Sequence, residues 1–198
     1  MNSLVSKCEA TVRERMADQG AGHGMDHVLR VLKLARAIQR SVGGDLEIIE
    51  LATLLHDVGD AKFHNGVERS GEFAAEILTG LGAGEQQISH VVHIVDNLSF
   101  RKTATAEPLS LEGKVVQDAD RLDALGAVGI VRTVEYGASI GQPFYCQDAK
   151  NSKMGIQHFE DKLFKLKDLM NTPVARELAI QREVIMRQFV EHFMREVS

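Results

Sequence analysis

The chain has 198 residues, 44% of them hydrophobic and 26% charged, with a formal net charge of -5 and a pI near 5.9. That is enough apolar matter for one buried core, and a mildly acidic chain offers no broad basic surface to an extended nucleic acid. No apolar run reaches the ~18 residues a membrane span needs, the start MNSLVSKCEATVRER lacks the apolar stretch of a signal peptide, and two distant cysteines, Cys8 and Cys146, fit a reducing cytoplasm better than a disulfide framework.

Apolar positions recur every three or four residues almost throughout, and proline is scarce, so the expected fold class is all-α. Leu4, Val5, Cys8 and Val12 make a first stripe. Val28, Val31, Leu34, Ala35 and Ile38 make a second, ended near Gly43-Gly44. Ile48 to Leu55 is apolar nearly all round and reads as a central helix, with Gly59 as its stop. Phe73, Ala74, Ile77 and Leu78 predict another helix, closed by Gly80 to Gly84. Ile88, Val91, Val92 and Val95 predict the next, and residues 99–108 a loop. Leu111, Val115, Val116, Ala119 and Leu122 continue the series. Gly126 to Gly141 reads as a tightly packed helix and 142–154 as a polar loop. Ile156 to Val197 should hold two helices, broken at Asn171-Thr172-Pro173, with Thr172 capping the second and Pro173 at its first position. The apolar residues Ile180, Val184, Ile185, Phe189 and Phe193 of the last helix could face their own core or a second subunit.

The chemistry begins at LLHDVGD, Leu54 to Asp60. His56 and Asp57 are ionisable neighbours at the end of an apolar helix, where burying them without a partner is costly. Taken alone, the pair reads as a helix end with a capping imidazole and a solvated carboxylate. Partners change that reading. His27, in GHGMDHVLRV, opens the face that continues with Val31 and Leu34. Asp120, in VVQDADRLDALGA, follows Val116 by four residues and shares its side of the helix. Two histidines and two aspartates form a mixed nitrogen and oxygen set. It suits one divalent ion, Mn²⁺, Ni²⁺, Fe²⁺, Co²⁺, Zn²⁺ or Mg²⁺, and leaves coordination places for water and substrate.

The ordered set His27, His56-Asp57, Asp120, with the words HVLRV, LLHDVGD and DADRLDALGA around it, resembles the HD superfamily of metal-dependent phosphohydrolases. HIVDNLSF and KLFKLKDLMNTPVAR also resemble its stand-alone bacterial members, and the resemblance extends over nearly the whole chain. It implies a single HD-type helical domain over 1–198, with a metal-binding core about 20–140 and a C-terminal segment about 155–198 packed on it. It also implies hydrolysis of a small nucleotide or other small phosphate, foremost pyrophosphate release from a (deoxy)nucleoside triphosphate. The alternatives are a di-iron oxygenase on the same scaffold and a non-catalytic nucleotide-binding regulator. The chain is expected to act as a monomer or homodimer.

Asp60, one turn beyond His56, is the expected acid/base that orients the attacking water; related guanosine tetra- and pentaphosphate hydrolases carry an acidic residue at that offset. Lys62 is the first choice for a phosphate contact and a part in catalysis. Arg121 and Lys162 are further candidates for phosphate. Arg30 and Arg121 are expected first to pair with buried or rim carboxylates, whereas Lys162 could go either way. His93 and Asp96 should line the pocket. In some HD proteins two extra histidines hold a second metal, and His90 and His93 have a spacing for it, but one tightly held ion is expected here and His90 reads as structural.

Overall fold

A computed structural model of the chain describes residues 3–17, 24–61, 64, 66–98, 107–147 and 154–198. Among these residues the regular structure is helical: α1 (Leu4–Arg15), α2 (Met25–Val42), α3 (Leu46–Leu55), α4 (Ser70–Gly80), α5 (Glu85–Asn97), α6 (Leu111–Asp123), α7 (Gly126–Ser139), α8 (Gln157–Asp161), a 3-10 stretch (Leu163–Leu169) and α9 (Pro173–Val197). The expected all-α class holds. Contacts group the chain into two compact units, Met1–Ala119 and Asp120–Ser198.

In the first unit α3 is the hub and packs on α1, α2, α4 and α5. Its sequence explains this. Ile48, Ile49, Leu51, Ala52, Leu54 and Leu55 are all buried, and each large side chain removed from water contributes on the order of 1.5–3 kcal/mol. Asp45 starts the helix by accepting the Glu47 and Ile48 amides at 2.9 and 3.2 Å, which satisfies donors that would otherwise be orphaned. The preceding turn is tied to α6: Glu112 accepts the Asp45 N–H at 3.0 Å. Ser110 accepts the Gly113 amide as the cap of α6 and lies 2.9 Å from His90 Nε2.

Gly59 is not the stop expected for α3. The helix ends at Leu55, His56 keeps a right-handed helical backbone, and Gly59 is not among the positive-φ glycines. The absence of a side chain there serves a non-local contact. A Cβ on Gly59 would stand 2.5 Å from the Arg69 carbonyl carbon and 2.6 Å from the Ser70 nitrogen.

In the second unit α7 packs on α9, and α8 and α9 on the 3-10 stretch. Gly126 starts α7 at φ +73° with Arg182 against it, and a Cβ on Gly129 would meet the Ala124 carbonyl oxygen. Thr172 caps α9 through the Ala175 amide with Pro173 in the first turn, as the sequence indicates. Phe144 meets Phe159, Phe189 and Phe193 edge to face, which moors the segment after α7. The buried face of α9 carries Ala175, Ala179, Glu183 and Met186, whereas Ile180, Val184 and Ile185 are exposed. No helix among the described residues is long and apolar enough to cross a membrane.

Candidate metal centre

His27 lies in the first turn of α2, on the face that continues through Val28, Val31 and Ala35, and is 1% exposed. His56 follows directly on α3 and is 8% exposed. Asp57 comes next and is the most open of the three, with 17% of its side chain exposed. The apolar faces of two packed helices thus carry two imidazoles to one point, where a carboxylate meets them.

The distances are short. His27 Nε2 is 3.2 Å from His56 Nε2. Asp57 Oδ2 is 3.5 Å from His27 Nε2, and Asp57 Oδ1 is 3.6 Å from His56 Nε2. His56 Nδ1 lies 2.7 Å from the Thr53 carbonyl, which can only accept, so Nδ1 carries the proton. That fixes the tautomer and leaves a lone pair on His56 Nε2, the usual outer support of a metal-binding histidine. Separations of this size are those of donors lying about 2.0–2.2 Å from one ion. Two imidazoles and a carboxylate are also the donor chemistry of a borderline divalent metal. The residues fit such an ion.

The other expected site residues are placed as follows. Asp60 is half-buried, and its N–H donates to the Asp57 carbonyl at 3.2 Å. Lys62 lies outside the described residues. His93, on α5, has Nε2 at 3.1 Å from the Pro108 carbonyl and Nδ1 at 3.5 Å from Glu107. The Asp96 carboxylate lies against Gly71 in the first turn of α4, so close that a Cβ there would clash with it. That is the helix end whose amides and dipole favour an anion. Arg30 is half-buried on α2. Asp120 is half-buried near the end of α6 and opens the second unit. In that unit Arg121 donates to the Leu169 carbonyl, and Lys162 follows α8, where its charge and burial lower the pKa of His158, burial being the larger cause. His90 is held by Ser110 and faces Glu112 at 3.7 Å.

Sequence reasoning missed the Thr53 carbonyl as the partner of His56. It also missed the way the segment Glu68–Ser70 holds the loop after Asp57.

These helices bring two histidines and an aspartate together at one point, a group that could hold a metal ion. The HD domain family model matches residues 24–125, and the chain belongs to that family of metal-dependent phosphohydrolases. It is 40% identical to the protein YpgQ of Bacillus subtilis (strain 168) over 188 residues, which covers 94% of this chain and 90% of that one. The crystal structure of Bacillus subtilis YpgQ in complex with ADP superposes with a TM-score of 0.81 at 36% identity, covering 98% of this chain and 94% of that one. An HD-superfamily hydrolase from Bacillus thuringiensis gives 0.77 at 40% identity, covering 97% and 95%.

Proposed function

We infer that the chain is a nucleotide phosphohydrolase that cleaves a phosphoanhydride bond, with release of pyrophosphate from a (deoxy)nucleoside triphosphate as the leading reaction. The observation that carries this is the buried convergence of His27, His56 and Asp57. The ADP bound by YpgQ supports a nucleotide ligand for the same family. Asp120 is the fourth ligand in this reading, on the order of residues in the sequence.

His27, His56 and Asp57, with Asp120 as the fourth, would hold a divalent ion, which would supply polarisation of a phosphoryl oxygen and a lowered pKa for a bound water. The residues do the rest. His27 and His56 present neutral nitrogen donors, and the Thr53 carbonyl keeps His56 turned toward the ion. Asp57 supplies the negative charge that offsets the ion's. Asp60, one turn on, accepts a proton from the attacking water and orients it. Lys62, Arg121 and Lys162 provide positive charge for the phosphates, and His93 and Asp96 line the nucleotide's side of the pocket.

The test is a panel of ribo- and deoxyribonucleoside di- and triphosphates against Mn²⁺, Ni²⁺, Co²⁺, Fe²⁺, Zn²⁺ and Mg²⁺, with products identified. Triphosphates should yield a nucleoside monophosphate and pyrophosphate. His56→Ala should abolish turnover, as a metal-site deletion removes the chemistry rather than weakening it. Full turnover in that variant would remove the site assignment.

A further inference from the structure

The peptide groups on either side of Asp60 are both held by one short stretch, Glu68 to Ser70. The Gly59 N–H donates to Ser70 Oγ at 3.3 Å, and the Gly59 carbonyl accepts the Arg69 N–H at 3.0 Å. On the other side the Ala61 N–H donates to Glu68 Oε2 at 3.4 Å, while the Ala61 carbonyl accepts the Gly66 and His64 amides at 2.8 and 3.2 Å. Glu68 Oε1 in turn accepts the Ser70 N–H at 3.0 Å, so one carboxylate joins Ala61 to the start of α4. Ser70 is 3% exposed and Gly59 has no room for a side chain against Arg69 and Ser70. With both flanking peptides held and its own N–H on Asp57, the backbone at Asp60 has little freedom to turn. That narrows the rotamers open to its side chain.

We propose that Glu68 and Ser70 are positioning residues for the reaction: they fix the backbone at Gly59 and Ala61 and so aim the Asp60 carboxylate at the attacking water. This rests on the reading of Asp60 as the water-orienting group. Neither residue touches substrate in this role. Displacement of a reacting group by about 1 Å costs on the order of a hundredfold in rate, so loosening one strap of two should cost a substantial part of that.

The experiment compares Glu68→Ala, Glu68→Gln, Ser70→Ala, Asp60→Asn and the double variant Asp60→Asn/Glu68→Ala. Each is measured on the nucleoside triphosphate that the intact chain turns over fastest, with Mn²⁺. Glu68→Ala should lower kcat about tenfold or more with KM and bound metal unchanged. Glu68→Gln, whose amide oxygen still accepts one N–H, should recover part of the loss. Ser70→Ala should act in the same direction. The double variant should be no slower than Asp60→Asn alone, because Glu68 acts only through Asp60. Amide hydrogen exchange at residues 59–61 should quicken in Glu68→Ala, a readout independent of turnover. A slow Asp60→Asn beside a fully active Glu68→Ala overturns the strap and leaves the reading of Asp60 standing. A fully active Asp60→Asn removes both. An equal further loss from Glu68→Ala in the Asp60→Asn background places Glu68 elsewhere in the reaction and overturns the proposal.

Discussion

His56 shows how much one residue's role depends on groups that sequence spacing does not reveal. Its place beside Asp57, and the inward stripe that carries His27, are visible in the sequence because a histidine at a core position needs a reason. The acceptor that sets its tautomer is a backbone carbonyl, and every residue has one, so nothing in the sequence marks it. The hydroxyl of the same Thr53 is buried with no hydrogen-bond partner among the described residues. Thr53→Val keeps the shape, and the carbonyl, while removing that orphaned group, and should raise stability by roughly 1 kcal/mol, seen as a higher Tm. The cysteines give a second prediction. Cys8 is buried, and its thiol is pushed up to about 12 by burial first and by Glu9 second. Cys146 is exposed. Since the thiolate is the reactive form, iodoacetamide at pH 8 should label the folded chain once, at Cys146, and reach Cys8 only on unfolding.

At the scale of elements, the helices themselves were legible and their ends less so. Alternation at three and four residues marks α3 clearly, yet the role of Gly59 is not local: a helix stop is a local device, whereas the constraint on Gly59 comes from residues 69 and 70. Gly59→Ala should therefore cost about 1–3 kcal/mol through a backbone clash, measured by denaturant unfolding, whereas a surface glycine such as Gly80, with open space around it, should tolerate alanine. The start of α6 carries a pH dependence. Burial works to raise the Glu112 pKa, but the Asp45 amide, its own amide, the Ser110 hydroxyl and His90 outweigh it, and the net shift is downward. A carboxyl lowered in the folded state contributes stability above its unfolded pKa, about 4.3, and loses it as pH falls through the lower folded value. The Tm gap between the intact chain and Glu112→Gln should thus be full at pH 6 and shrink below pH 4.

For the molecule as a whole, the helical class and the three-residue centre were readable, whereas the two compact units were not. Apolar periodicity reports that a face is apolar, not which other face covers it, and on α9 it left open whether Ile180, Val184 and Ile185 meet their own core or a second subunit; in the single chain they are exposed while Glu183 is buried. Glu183 reconciles this locally: Lys167 and Arg187 donate to it at 2.9 and 2.6 Å. A metal that binds only the folded chain also stabilises it by mass action, about 2.7 kcal/mol at a hundred times its Kd. Differential scanning fluorimetry should show Tm rising with Mn²⁺ or Ni²⁺ and falling back with a chelator, with no shift in His27→Ala.

The near-complete burial of both imidazoles also has a kinetic side. With Asp57 the most open of the three side chains, a chelator has scant direct access to the nitrogen donors. Release of a seated ion then waits on a local opening of the fold. Stripping followed over time should reach a ceiling rate that extra chelator does not raise, and that rate should climb steeply with temperature. Metal exchange at this centre would then serve as a clock for the breathing of α2 against α3.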